Sequence, residues 1–283
     1  MGRVTTRHRV VRIDEHHPGG MNGVDTLAVE EPLEIHLGAM RYATTMRTPG
    51  HDMELVHGFL AAEGIITGPD DIVSARYCTG TVEDELTGLP RNTYNVLQVR
   101  LDDSVPPPEA GRATVVSSAC GICGTDTIES LTRQTRFDLR EDRTRVRADT
   151  ILALPDRLRS AQRTFSTTGA THAAALFTGD GEMLVAREDV GRHNAVDKVV
   201  GWAMRNGRRP AGGCVLVVSG RIGFELAQKS VLAGIPVLAG ISAPTALAVR
   251  TADETGLTLA GFVRGDRMSI YSNPERVLGA DLR

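Results

Sequence analysis

The chain has 283 residues, with 41% hydrophobic and 24% charged side chains and a formal net charge of −3 at pH 7, a composition that fits one large or two modest globular domains. The negative balance excludes a protein whose main partner is nucleic acid, because phosphate neutralisation takes a surplus of Lys and Arg. No run approaches the ~18 apolar residues of a membrane span and the first residues hold no apolar signal core, so no membrane partner is expected and the cytoplasm is the expected compartment.

Residues 1–23 mix charge, Gly, Pro and paired His without hydrophobic period and read as a flexible arm with a short strand at Val10 to Ile13. From Thr26 to Thr45, apolar and polar residues alternate on either side of Gly38, which predicts an antiparallel pair. Leu55, Phe59, Leu60 and Ile65 or Ile66 then recur at helical spacing up to Gly64 and predict a helix with one buried face. Tyr94 to Leu101 alternates again as a strand, and the Pro-rich stretch from Ser104 to Arg112 is the best linker. Residues 24–105 are therefore expected to form a smaller, β-rich α+β domain.

From residue 113 to 283 the pattern changes to short apolar runs alternating with helical segments. ATVVSSA precedes GTDTIESLTRQT, THAAALFTGDGEMLVARED reads as a hairpin around Gly179 to Gly181, and NAVDKVVGWAMRNG as a helix. CVLVVSG, FELAQKSVLAG, IPVLAGIS, APTALAVRTADETG and LTLAGFVRG continue the alternation. The expected fold class is α/β, α+β overall, with a mixed but largely parallel sheet covered by helices. Ligands of such sheets gather at the carboxyl ends of the strands.

Four cysteines occupy positions 78, 120, 123 and 214, and in a reducing compartment structural disulfides among them are not expected. Cys120 and Cys123 follow the apolar Val115 and Val116 and precede a predicted helix start at Thr125 and Asp126. Unpaired N–H groups and the helix dipole stabilise a thiolate there, and Gly121 and Gly124 leave the loop bare for close approach. Three chemistries use such a pair: dithiol–disulfide exchange, half of a zinc site, or persulfide transfer. Zinc is not expected, since Cys78 and Cys214 are isolated and no second C-x-x-C or H-x₃-H exists. A nucleobase deaminase site is poorly supported because Ala119 precedes the first cysteine and no His lies between His57 and His172. Two buried small residues in a tight turn remain the bland alternative.

Further polar groups cluster at strand ends. Arg187, Glu188, Asp189, Arg192, His193, Asn194 and Asp197 crowd one strand-to-helix junction and read equally well as an anion site or as a capping network with Asn194 as N-cap. Ser219-Gly220-Arg221 and Ser242 with Thr245 lead from strands into helices, where phosphates bind. Phe262-Val263-Arg264-Gly265-Asp266-Arg267 ends a strand with two arginines and an acid around a glycine, which suits a guanine nucleotide or an ordinary hairpin turn. The arginines between Arg133 and Arg163 fit solvated helix faces better than a docking surface for an acidic partner.

SSACGICG, THAAAL, REDVGRHNAVDKVVG, SGRIGFELAQKS, GIPVLAGISAPTALAV and LTLAGFVRGDRMSIYS, together with EEPLEIHLG and ELVHGFLAAEGII, resemble the FdhD family of formate dehydrogenase accessory sulfurtransferases across about residues 24 to 278. The resemblance implies a cytidine-deaminase-like fold for the C-terminal domain and a homodimer. It also implies that sulfur from a cysteine desulfurase is received on the C-x-x-C pair, as a persulfide on Cys120 with Cys123 assisting. The acceptor is then the molybdenum bis(molybdopterin guanine dinucleotide) cofactor, before its insertion into formate dehydrogenase, with the guanine dinucleotide contact on Phe262, Val263, Arg264, Gly265, Asp266 and Arg267. A C-x-x-C thiol oxidoreductase and a cofactor-binding chaperone without sulfur transfer are the alternatives.

Overall fold

Burial alternates along the strands that begin the first sheet: in Glu31–Leu37, Leu33, Ile35 and Leu37 are buried and their neighbours are not, the period of a sheet with one face on a core. The computed structural model of the chain describes residues 4–78, 80–83, 90–106, 114–115 and 135–279. Its strands are β1 (Thr5–Asp14), β2 (His17–Ala28), β3 (Glu31–Leu37), β4 (Met40–Arg47), β5 (Ile72–Tyr77), β6 (Gly80–Glu83), β7 (Pro90–Thr93), β8 (Val96–Leu101) and β9 (Thr114–Val115) in the first part. They continue as β10 (Val146–Arg147), β11 (His172–Thr178), β12 (Met183–Asp189), β13 (Cys214–Val218), β14 (Val237–Gly240), β15 (Thr258–Arg264), β16 (Arg267–Ser272) and β17 (Val277–Leu278). The α-helices among the described residues are α1 (Asp52–Ala62), α2 (Ala148–Ala161), α3 (Arg163–Thr168), α4 (Arg192–Arg205), α5 (Phe224–Leu232) and α6 (Ala246–Thr255).

β1 and β2 form an antiparallel ribbon. Its turn is set by Asp14, whose Oδ1 accepts the backbone N–H groups of His16 and His17, both at 2.9 Å, the local bonding that makes Asp a turn residue. The strand expected at Val10 to Ile13 lies within β1, but its length and its partner were not anticipated. The reason is physical: the ribbon is exposed on both faces, with Val11 and Ile13 63% and 71% exposed, so neither strand needs the hydrophobic alternation that betrays a strand in sequence.

The first sheet has the order β5-β8-β3-β4-β9. β3 and β4 pair antiparallel as expected, while β9 adds in parallel to β4, so the chain beyond the Pro-rich linker first returns to this sheet. Leu33, Ile35, Leu97 and Val99 pack on Leu55, Val56, Phe59 and Leu60 of α1, with Met204 of α4 in the same cluster. The expected single buried face of α1 is corrected: residues from Asp52 to Ala61 are buried apart from Met53, because a sheet covers one side of the helix and α4 the other.

The second sheet has the order β12-β11-β13-β14-β15-β16. It is mixed, but not largely parallel: only β13–β14 and β14–β15 run parallel, while β11–β12, β11–β13 and β15–β16 are antiparallel. The two hairpins have short turns, and parallel neighbours require a crossover of a dozen residues or more. All five residues of β13 are buried because helices cover both faces. Leu216 and Val218 point into a core with α4, α5 and α6, and Val215 and Val217 into one with Ile151, Leu154 and Leu158 of α2. Those three positions fall at helical spacing on one stripe. At α6, Thr245 is the N-cap and its hydroxyl accepts Ala248 N–H at 3.3 Å.

The two sheets are joined where α1 crosses α4. A Cβ on Gly58 would overlap the carbonyl oxygen of Asp197, and one on Gly201 would overlap that of Glu54. Replacing Gly201 with Ala is expected to lower stability by about 3 kcal/mol, the upper range for forcing an extra methyl into a packed contact. Urea denaturation of the two proteins measures it, and equal midpoints contradict the tight crossing.

Candidate functional site

Sheet polarity decides which candidate residues meet. β13, β14 and β15 run parallel, so Ser219, Ile241 and Ser242, and Phe262 to Arg264 emerge at one edge. β11 runs antiparallel to β13, which brings His172 at its start to the same edge. Ser219 is fixed there: its N–H donates to Ala173 O at 3.0 Å and its Oγ accepts Ala173 N–H at 2.9 Å.

The hairpin between β15 and β16 is shaped by strain and by a bulge. Phe262 has φ 52°, a left-handed backbone that non-glycine residues rarely adopt, and the register with β16 shifts between Gly261 and Arg264. Phe262 N–H donates to Ser242 O at 3.2 Å. A Cβ on Gly261 would press on Pro244 and on the Tyr271 ring, so the loop after β14 sits directly on β15. Arg264 Nε donates to Ile241 O at 2.9 Å, and its guanidinium stands 5.9 Å from the centre of the exposed Phe262 ring. Val263 is buried in the core, so it supports the hairpin from beneath. Gly265, at φ 55°, takes the turn. Phe262, Arg264, Arg267, Met268 and Ser269 line a cavity of about 300 Å³ beside it. Two arginines, an exposed ring and Asp266 thus share one surface, suited to an anionic ligand with a planar part.

The polar cluster from Arg187 to Asp197 divides. Only Arg192 and His193 approach the sheet edge, where His193 Nε2 meets Glu225 Oε2 at 2.9 Å; this hydrogen bond holds the Glu225 carboxyl below its ordinary range. Asn194 is not the N-cap of α4, which is Gly191. Its amide donates to Met46 O at 2.7 Å and to Asp189 Oδ1 at 3.1 Å. Lys198 and Asp189, 1% and 0% exposed on their side chains, pair at 2.7 Å, and Lys198 also donates to Thr48 O at 2.9 Å while Thr48 N–H donates to Asp189 Oδ2 at 3.1 Å. Arg187 forms a two-point bond to Glu54, at 2.5 and 2.7 Å. These residues clasp the second sheet to the first, and the anion-site reading fails for them. Glu188 caps α3 instead, accepting Thr164 N–H at 2.8 Å and Phe165 N–H at 2.7 Å. Burial opposes ionisation of Glu54, but Arg187 and His51 outweigh it and bring its pKa down from 4.5 to about 2.

Cys120 and Cys123, and the helix expected after them, lie outside the described residues. Of the other cysteines, Cys78 is exposed and Cys214 buried, and both are free thiols; burial pushes the Cys214 thiol up, which leaves it inert. Among the described residues no cluster of three His, Cys, Asp or Glu could hold a metal ion, and no helix is long and apolar enough to cross a membrane.

The model of the FdhD/NarQ family matches residues 28–278. The chain belongs to this family. A curated relative from Nocardia farcinica (strain IFM 10152), named sulfur carrier protein FdhD, is 52% identical over 276 residues, covering 98% of this chain and 96% of its own. One of the same name from Mycobacterium tuberculosis (strain ATCC 25618 / H37Rv) is 48% identical over 279 residues, covering 98% and 100%. A crystal structure from Desulfotalea psychrophila that carries the name of a formate dehydrogenase accessory protein matches with TM-score 0.75 at 21% identity, covering 98% of this chain and 100% of the other. The FdhD/NarQ chain therefore shares its fold with that protein from end to end.

Two outcomes follow from this geometry. Glu54 titrates lower in the folded chain than its ordinary 4.5, so its share of stability is complete above pH 4.5 and is lost as pH falls toward 2. Glu54→Gln should be less stable than the parent at pH 7 and show a shallower loss on acidification in urea titrations from pH 7 to 3; parallel profiles contradict the clasp. Phe262→Gly should release about 1 kcal/mol of backbone strain while weakening any ligand that uses the ring, so thermal stability holds or rises as affinity falls.

Proposed function

We propose that this FdhD/NarQ chain is a sulfur carrier for formate dehydrogenase maturation, receiving persulfide sulfur on Cys120 and delivering it to the molybdenum bis(molybdopterin guanine dinucleotide) cofactor. The observation that carries the reading is a glycine-flanked C-x-x-C in a member of a family whose curated relatives are named sulfur carriers. The name borne by the Desulfotalea psychrophila structure supports formate dehydrogenase as the enzyme served.

The chemistry divides into two balanced steps. The Cys120 thiolate attacks the terminal sulfur of a cysteine desulfurase persulfide; a new S–S bond forms on Cys120, and the desulfurase cysteine leaves as a thiolate. Cys123 then attacks Cys120 Sγ, the terminal sulfur departs as hydrosulfide toward the molybdenum acceptor, and the disulfide left behind is reduced by an external thiol. The cofactor is cargo. The arginines of the Phe262 to Arg267 hairpin hold its guanine dinucleotide phosphates, Asp266 faces ribose or base donors, and Phe262 offers a ring to stack.

The reading extends to a cytoplasmic homodimer with a cytidine-deaminase-like C-terminal domain, for which the helix-covered β13–β14–β15 centre is compatible support. Incubating the full chain with a cysteine desulfurase and cysteine should add one reducible sulfur mass, seen by intact mass spectrometry. The gain should persist in Cys123→Ala and vanish in Cys120→Ala. No gain in the parent protein moves the chain to a cofactor chaperone or a thiol oxidoreductase.

A further inference from the structure

Release of sulfur by the attack of Cys123 on Cys120 requires a proton to change places. A persulfide is more acidic than its parent thiol and is an anion at neutral pH. When the bond from Cys120 Sγ breaks, the electron pair stays on the terminal sulfur, which without a proton would have to depart as the sulfide dianion, a far poorer leaving group than hydrosulfide. The attacking Cys123 thiol, in turn, must lose its proton to become a nucleophile. One group that takes the proton from the attacking sulfur and gives it to the departing one serves both ends, and imidazole is the side chain whose proton affinity suits this near pH 7.

The first turn of α4 carries Arg192 and His193, and the first turn of α5 carries Glu225. His193 Nε2 and Glu225 Oε2 lie 2.9 Å apart, with the imidazole side chain 19% exposed and the carboxylate 41%. The ring is thus held by one nitrogen, which leaves Nδ1 for proton exchange. The charged groups that face it are Glu225 on α5, Arg192 and Asp197 on its own helix, and His172 on β11. Lys229 holds Asp197 at 2.6 Å, so Glu225 is the carboxylate that answers an imidazolium at His193. Its hydrogen bond to His193 keeps the Glu225 carboxyl below its ordinary range and therefore ionised at pH 7. His172 is unsuited to the same task, because burial together with Arg192 and His193 disfavours its charged form.

β9 points at this pair. It runs parallel to β4, Thr114 beside Ala43 and Val115 beside Thr44, and so heads along β4 toward Met46. The Met46 carbonyl accepts the amide of Asn194, the residue after His193, at 2.7 Å.

We infer that His193 is the proton carrier of sulfur release and that Glu225 is its positioning residue. The inference rests on the sulfur-carrier reading above and deepens its second step. His193 Nδ1 takes the Cys123 proton as the S–S bond from Cys123 to Cys120 forms. It gives that proton to the terminal sulfur as the bond from Cys120 Sγ to that sulfur breaks. Hydrosulfide leaves, the two cysteines remain as a disulfide for the external thiol to reduce, and the imidazole ends in the state in which it began.

Single-turnover release tests it. The full chain is loaded with a cysteine desulfurase and cysteine, separated from both, and followed by trapping of free sulfide across the pH range in which imidazoles titrate, scored per sulfur loaded. The expected result is release slowed about a hundredfold in His193→Ala and partly restored by added imidazole. In the parent the rate rises with pH as the imidazolium loses its proton. In Glu225→Gln that rise moves to lower pH, because the carboxylate no longer favours the charged ring, and the plateau falls. The Glu225 side chain is 41% exposed, so Glu225→Gln carries the test even where His193→Ala loses its fold. Release from His193→Ala at the parent rate, or a pH profile that Glu225→Gln leaves in place, overturns the inference. A slowed His193→Ala that imidazole does not rescue and that keeps the parent's pH profile marks a structural role and overturns it too. A folded His193→Ala chain that takes up no sulfur assigns His193 to receipt rather than release, with the same consequence. A parent chain that takes up no sulfur sinks the carrier reading itself, whereas one that loads and releases without regard to His193 sinks this inference alone.

Discussion

The backbone contact between α1 and α4 is the constraint on which the other placements depend. Glu54 and Gly58 on one helix face Asp197 and Gly201 on the other, each pair four residues apart, so the ridges and grooves of both helices mesh along the i, i+4 rows. At both points a glycine receives the partner's carbonyl oxygen. The same two carbonyl-bearing residues send their side chains outward to further elements: Glu54 to Arg187 on β12, and Asp197 to Lys229 on α5 at 2.6 Å. The crossing thus fixes the first sheet, the edge of the second, and the last turn of α5 together. No larger residue at Gly58 or Gly201 preserves that distance.

Such a seam buries charges, and buried charge is a weak source of net stability. Desolvating Lys198 and Asp189 costs several kcal/mol per ion, which their attraction roughly offsets only with full hydrogen bonding. Asp189 obtains it from Lys198, Thr48 N–H, Asn194 and Gly191 N–H. What the seam supplies is geometry: only one registration of β4 and the following turn against β12 and α4 satisfies Thr45, Met46, Thr48, Asp189, Asn194 and Lys198 at once. Arg47, buried between Asp52 and Glu31, extends the same logic within the first sheet.

Legibility followed the need for burial. β13, β14 and β15, α4, α5 and α6 were readable because each must hide an apolar run or stripe, and both hairpins were marked by glycine. Of the β1–β2 ribbon only the strand at Val10 to Ile13 was legible, because the ribbon hides almost nothing. The parallel share of the second sheet was overread because a buried central strand looks the same whichever way its neighbour runs. The residues from Arg187 to Asp197 looked like a ligand site because sequence shows charge density without showing its partners; for Arg187, Asp189 and Asn194 those partners lie more than a hundred residues away, in the segment from Thr45 to Glu54. The hairpin at Phe262 to Arg267 was legible from composition, whereas its strained Phe262 was not. His172 stood in a motif that resembled the family, but nothing local to THAAAL says that an antiparallel neighbour will carry it to the carboxyl edge.

The mixed sheet explains why that edge is chemically rich. A wholly parallel sheet delivers only loop residues from strand ends and helix starts to its carboxyl edge. Here β11 is reversed, so a residue from a strand's beginning, His172, joins Ser219 and Ile241 from two strand ends. At the other side β15 overshoots β14: its pairing with β14 ends at Ala260, and the remaining residues to Arg264 project beyond the edge before β16 turns back. One reversed strand thus helps form a recess and one overlong strand forms a projecting hairpin, and the Arg264–Ile241 hydrogen bond ties the two. The asymmetry of the sheet, rather than any single residue, is what gathers these groups at one edge.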